Sequence, residues 1–328
     1  MRVLIITSEW STHEHPAYDP FVVQQVEYLR RAGVEVEIFA FRGEKNPINY
    51  LRAWLKLRSL HDIERFNLIH AHFGQNGLLA LRARLPLVVT FHGSELHGIV
   101  GSNGRYTMRG AILRLLSRYV ARQATEIIVV SEHLTNYLPS RLPFQVIPCG
   151  VDFELFRPMP QLEARKQLGL PSGKLLVLFA AYSCRPVKRR YLAQEAVTLL
   201  KKEFDVDLVE IFDVPHKVVP LYMNACDALV ITSKHKGSPT AVKEALACNL
   251  PIVSVKIGDV PQRIQEVDGC VVCDDDAPTT IAQGLAQVLG SRQRICGRNF
   301  IANLDERLNV QAIIKVYQTA LAKGWNRR

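Results

Sequence analysis

The sequence has no apolar run of the eighteen or so residues that a membrane-spanning helix needs. It has no cysteine before Cys149, and its total of seven is odd. Such a distribution does not build a disulfide framework. Cys270 and Cys273 form a C-x-x-C inside a strand-like GCVVC run, with no second pair at zinc-site spacing, so they read as buried reduced thiols of a cytosolic protein. Aromatic residues are only 8% of the chain and are not interleaved with a basic tract. Neither zinc-finger spacing nor an RNP1-like motif occurs, so no nucleic-acid partner is expected. A G-x-G-x-x-G after the first strand is missing too, which counts against a dinucleotide oxidoreductase. Short repeats and low-complexity tracts are absent.

What remains is a chain of 328 residues, 48% hydrophobic, with a formal net charge of +10. That is enough for two packed cores and too much for one ordinary core. The excess of cations suits phosphorylated ligands or an anionic membrane surface. The start, MRVLIITSEW, places one Arg before about six apolar residues, shorter than the roughly 7–15 of a signal peptide's apolar region. It reads as the first β-strand.

Strand and helix patterns alternate from there. Residues 3–7, 36–41, 67–71, 87–91, 127–130 and 144–148 read as strands, and 21–32 as a helix with Val22, Val26 and Leu29 on one face that stops at Gly33. Ser131 is placed to cap a following helix. The stretch 146–161 (VIPCGVDFELFRPMPQ) has Gly, three prolines and no period, as a linker would. The pattern restarts with strands at 175–180, 206–211, 228–232, 251–255 and 270–273, and ends in a helix at 310–322. Continuous apolar strands separated by helices predict an α/β chain with two doubly wound parallel sheets. In such sheets ligands sit beyond the carboxyl ends of the strands.

Four features there could carry chemistry. Ser238-Pro239 opens a helix after strand 228–232, with Ser238 as cap, Pro239 at the first helical position and Gly237 allowing close backbone approach. Free amides at such a start bind phosphate; an ordinary capped helix is the plainer alternative. Arg185, Lys188, Arg189 and Arg190 follow strand 175–180. They could neutralise a diphosphate, or form a solvated basic helix start, where the dipole disfavours them. His92 follows strand 87–91 and could bond a sugar hydroxyl or move a proton; a structural histidine is the alternative. Asp274, Asp275 and Asp276 precede Ala277-Pro278 and a helix, so capping explains them better than a metal.

Taken together, the HGSEL loop, EIIVVSEHL, VIPCGVDFELFRP, the RPVKR loop and SKHKGSPTAVKEALACNLPIVS resemble the family 4 glycosyltransferases. The DPFVVQQVEYLRRAGVEVEIF segment extends the likeness nearly end to end. The resemblance implies a retaining enzyme of the GT-B fold, two Rossmann-like domains facing across a cleft. Residues 1–150 would form the acceptor domain and 151–306 the nucleotide-sugar donor domain, with 307–328 a helix crossing back to the first. It implies that Glu244 is the second Glu of an E-x7-E motif and holds the donor ribose. Lys188 would contact the donor diphosphate and His92 the transferred sugar. The amides around Gly237, Ser238, Pro239 and Thr240 would cradle sugar and phosphate. His13, His15 and Glu95 are the acceptor-side candidates. No metal and no cofactor is expected, the nucleotide-sugar being a substrate.

The chain departs from the family pattern. Eight residues before Glu244, where the first Glu belongs, stands Lys236, which can donate to sugar hydroxyls but cannot accept from them. It is carried as a catalytic-site position that could weaken transfer. Ser183 and Tyr182 stand where the family commonly has Arg, with Arg185 as the substitute. The expected activity is sugar transfer to a glycan or lipid-linked acceptor in the cytoplasm. The alternatives are an impaired nucleotide-sugar-binding relative and, from the His13/Glu14/His15 cluster, a GT-B epimerase. The segment INYLRAWLKLR (48–58) allows two readings: a helix lying on an anionic membrane, or a core-packed helix with a basic outer face.

Overall fold

The computed structural model describes residues 1–10, 20–44, 46–60, 62–101, 105–181, 186–234 and 238–325. Two compact units result. Of the described residues, the first takes those within 1–10, 20–150 and 306–325, and the second those within 151–305.

The first unit runs β1 (Arg2–Thr7), α1 (Pro20–Arg31), β2 (Glu35–Ala40), α2 (Pro47–Arg58), β3 (Leu68–His72), α3 (Gly74–Ala80), β4 (Leu87–Phe91), α4 (Ser94–His97), α5 (Met108–Gln123), β5 (Glu126–Val129) and β6 (Gln145–Val146). All six strands are parallel, in the order β2-β1-β3-β4-β5-β6. Successive strand residues point to opposite faces. Val3 and Ile5 therefore join Leu68, Val88 and Ile128 under α1, while Leu4 and Ile6 join Ile69 and Val89 under α2, α3 and α5. Burial on both faces explains why these strands are apolar runs rather than alternations.

The second unit runs α6 (Gln161–Leu168), β7 (Leu175–Ala180), α7 (Arg190–Leu200), β8 (Val206–Ile211), α8 (Val219–Ala225), β9 (Ala228–Ile231), α9 (Thr240–Ala247), β10 (Ile252–Ser254), α10 (Val260–Ile264), β11 (Val271–Val272), α11 (Pro278–Ser291) and α12 (Gly297–Phe300). Its five parallel strands take the order β11-β10-β9-β7-β8, so the sheet reverses direction of growth between β7 and β9. Asp227, just before β9, ties α6 to β7: it pairs with Arg165 at 2.8 Å and accepts the Leu176 amide.

The last helix, α13 (Glu306–Trp325), belongs to the first unit. Val310, Ile313, Val316, Tyr317 and Ala320 recur at helical spacing and pack with Val26 and Leu29 of α1. Burying each of the larger ones contributes about 2 kcal/mol. Gly150 lets the helix start come close: a Cβ there would collide with the Glu306 carboxylate and lie 2.8 Å from Asn309.

Several local expectations are corrected. Ser131 precedes a 3-10 turn, Glu132–Tyr137, and its buried hydroxyl bonds nothing. The residue before Pro139 is held extended, which leaves no room for an α-helix. In α2 only Ala53 and Leu57 are buried, while Ile48, Leu51 and Leu55 face outward beside Arg52 and Lys56, so the outer face is not merely basic. The aspartates divide: Asp275 accepts the Ala277 amide before α11, Asp274 pairs with Lys256, and Asp276 with Arg189. Bonds from Thr280 and that amide hold the Asp275 carboxyl below its usual range.

Candidate functional site

A depression with about 650 Å³ of empty space, partly open to solvent, lies at the carboxyl ends of β7, β8 and β9. It sits at the β7/β9 reversal, where an open α/β sheet offers its ligand crevice. Phe179, Ala181, Ile211 and Val230 give it an apolar floor, and Lys188, Asp213, Thr232, Ser233, Thr240 and Glu244 supply the polar lining.

The loops around it are stitched together. The Thr232 hydroxyl donates to the Lys188 carbonyl at 2.9 Å, and the Lys234 amide to the Val187 carbonyl at 2.8 Å. Arg189 donates to the Thr232 carbonyl at 2.7 Å and pairs with Asp276, while Arg190 pairs with Glu210. The basic run therefore splits: Arg189 and Arg190 hold the fold, and Lys188 lines the depression.

Glu244 of α9, on the same lining, is buried. Its Oε1 lies 2.8 Å from His216 Nε2, and its Oε2 has no donor among the described residues. A buried carboxylate oxygen without a partner calls for a donor from a ligand, such as a sugar hydroxyl. His216 follows β8, with its ring 5.1 Å from that of Phe156. Nothing was read from it in the sequence, although a histidine in a loop after a strand fits the same rule that selected His92. The start of α9 differs from expectation. The helix begins at Thr240, Pro239 is its cap residue, and no side chain caps it. Ser238 does not cap because its hydroxyl donates to Asp259 at 2.8 Å, a carboxylate that Arg263 also holds. The first amides of α9 thus open on Thr240 and Ala241, which line the depression.

In the first unit, the HGSEL loop is a separate construction. Gly93 has φ of 121°, which a side chain would resist. Glu95 is fully buried, and its two oxygens accept the His92 amide at 2.7 Å and the Gly93 amide at 2.9 Å. This corrects its assignment to an acceptor: both oxygens are turned onto the loop's own backbone, so Glu95 is a positioning residue. The His92 ring lies between Phe21 and Phe73, with Nε2 3.0 Å from His72 Nδ1 and Nδ1 3.8 Å from Cys149 Sγ. Burial pushes His72 down to about 3 and His70 well below its ordinary value, so both are neutral. His72 Nε2 is buried without a partner. An orphaned N–H is rarer than an orphaned lone pair, so the His72 proton belongs on Nδ1, donating to His92 Nε2. His70 is held beneath by the Tyr317 hydroxyl and Thr90, each at 2.7 Å.

Burial also raises Glu95 from 4.5 to about 7, outweighing the bonds from the Glu95, His92 and Gly93 backbone and the Ser94 side chain that favour its charge. Between those values the folded chain keeps a proton that the unfolded chain has lost. Stability therefore falls as pH rises through this window, by about 3 kcal/mol once pH exceeds 7. Glu95→Gln abolishes this component, so melting temperature measured against pH should be flatter in the variant. An unchanged slope would refute the assignment.

Of the other positions singled out in the sequence, His13, Glu14, His15, Tyr182, Ser183, Arg185, Lys236 and Gly237 lie outside the described residues. The described cysteines form no disulfide, and burial pushes the Cys270 and Cys273 thiols up to about 11.

A two-unit parallel α/β chain with a capless helix start, a cation and a buried acid at a sheet reversal is built like a nucleotide-sugar enzyme. Comparison with known proteins agrees. The Glycosyltransferase Family 4 model matches residues 2–155, and the Glycosyl transferases group 1 model matches residues 185–291. The chain is a glycosyltransferase of the GT-B fold. It is 23% identical to a D-inositol 3-phosphate glycosyltransferase of Segniliparus rotundus, over 99% of this chain and 82% of that one. It is 21% identical to the N-acetyl-alpha-D-glucosaminyl L-malate synthase of Bacillus anthracis, over 80% and 76%. Among solved structures it is similar to the sucrose-phosphate synthase of Thermosynechococcus elongatus, with a TM-score of 0.78 and 18% identity over 98% and 99% of the two chains. An Anabaena protein solved with UDP and glucose gives 0.71 and 17% over 97% and 100%.

Proposed function

We propose that this chain is a retaining glycosyltransferase that moves a sugar from a nucleotide-diphosphate donor to a glycan or lipid-linked acceptor on the cytoplasmic side. The observation that carries the reading is the depression at the β7/β9 reversal, with Lys188 and Glu244 on its lining and Glu244 Oε2 lacking a donor among the described residues. Glu244 accepts from the ribose hydroxyls, and His216 fixes which of its oxygens is left for them. The α9 amides and Lys188 receive the diphosphate, with Arg185 as a second cation. Positive charge from the protein serves in place of a metal. As the sugar–phosphate bond breaks, negative charge grows on the leaving oxygen, and these groups stabilise it. The acceptor oxygen forms the new bond on the face from which the nucleotide departs, and the departing phosphate takes its proton. His92 contributes a hydrogen bond to the transferred sugar.

A second reading keeps the donor site but not the turnover. Lys236, where the family has an acid, favours a chain that binds nucleotide-sugars and transfers them weakly. A panel of nucleotide-sugars, assayed for binding and for slow hydrolysis with NMR of the released anomer, separates the two. The transferase reading expects turnover of one donor with the anomeric configuration kept. Inversion would remove the retaining mechanism. Binding without turnover would favour the second reading, and no binding would sink both.

A further inference from the structure

Helix α5 carries a second apolar stripe that no core uses. Ser117, Val120 and Ala121 face inward. Met108, Ile112, Leu115 and Tyr119, spaced four, three and four apart, face outward, and Met108 and Leu115 are 82% and 66% exposed. One helix face thus lines the sheet while another presents large apolar side chains to solvent, which monomeric soluble proteins rarely do over a contiguous patch. The stripe is flanked by Arg109, Arg114, Arg118 and Arg122, with no acidic residue in the helix.

The neighbouring layer repeats the composition. α3 packs against both α2 and α5, and Ala53, Leu57, Leu79, Val120 and Ala121 share one core cluster, so α2 and α5 cover the same side of the sheet. α2 presents Ile48, Leu51 and Leu55 with Arg52, Lys56 and Arg58, again without an acid. Among the described residues, none of these seven cations is in an ion pair, although Arg65, Arg165 and Arg190 elsewhere each hold a carboxylate. Arg58 lies over the Trp54 ring instead.

We infer that the outer face of α5, with that of α2, docks on an anionic lipid bilayer. The apolar stripe enters the boundary between headgroups and acyl chains, and the arginines meet lipid phosphates at its edges. Charge complementarity selects this occupant. A second copy would set seven cations against seven, and a polyanion without lipid would leave the bulky apolar stripe in water. α5 also packs against α4, which carries Glu95, so a bilayer on this face lies beside the turn that presents His92. The inference does not rest on the sugar-transfer reading.

The test is co-sedimentation of the full chain with phosphatidylcholine vesicles, with and without phosphatidylglycerol. Binding should require phosphatidylglycerol. Arg114→Gln with Arg118→Gln should weaken it about fivefold per cation removed. Ile112→Ser with Leu115→Ser should abolish the part of the binding that survives high salt. Far-UV circular dichroism and melting temperature, measured on the same variants, should be unchanged, as should affinity for any nucleotide-sugar the panel identifies. This checks that they fold and separates failure here from failure of the donor site. Three results would overturn the proposal: equal binding to neutral vesicles or none to either kind, binding insensitive to both double variants, or a dimer in sedimentation velocity that the serine variants convert to monomer.

Discussion

Lys188→Ala lowers kcat/KM for the donor by about 10²–10³, the cost of removing one preorganised group from a developing anion. The effect should fall on kcat more than on donor affinity, because the charge on the leaving diphosphate is greatest as the bond breaks. Structure gives the residue its leverage. Its carbonyl is fixed by Thr232, and Arg189 beside it is tied to the Thr232 carbonyl and to Asp276, so the Lys188 backbone cannot drift. Arg190→Ala is the control. It removes a cation two residues away that pairs with Glu210, and it should change turnover little. Steady-state kinetics with the donor identified by the panel checks both. Equal losses from the two variants would mean that Lys188 acts only through net charge.

Lys236→Glu raises turnover by about 10- to 100-fold, the range expected for one charge-assisted hydrogen bond. The site already has positive charge in Lys188 and the capless start of α9. It is short of acceptors, and Glu244 alone offers a buried oxygen without a protein donor on the described lining. A second carboxylate supplies what sugar hydroxyls need. Turnover that falls in the variant would make Lys236 a member of a working site suited to a donor that carries its own negative charge.

The strands were legible because both sheet faces are covered. Residues 87–91, 175–180 and 206–211 are read from the sequence with the bounds they have in the structure. Features fixed by distant partners were not. Ser238 has the residue type and spacing of a cap, but Asp259, twenty-one residues on, takes its hydroxyl. Glu95 looks like a polar loop residue open to a ligand, and only the fold shows its oxygens turned back on the His92 and Gly93 amides. Local charge density does not reveal which cations of the 185–190 run are neutralised, since Asp276 and Glu210 come from other strands' ends. His216 escaped because its partner Glu244 lies twenty-eight residues away, on the far side of α8 and β9 in the chain. Family likeness supplied what periodicity could not, namely a link between Glu244 and Lys188, and both line the same depression in the structure.

The place of α13 in the first unit also governs the order in which the polypeptide can mature on the ribosome. Its side chains close the face of the first sheet that carries His70, and Tyr317 supplies one of that histidine's two hydrogen bonds. During synthesis this face waits with α1 alone over it while every residue of the second unit is made. The second unit can therefore complete its core first, although the first began earlier. The closing contacts are long in sequence, with Gln24 and Glu306 282 residues apart, so nascent chains paused before α13 should be the aggregation-prone species.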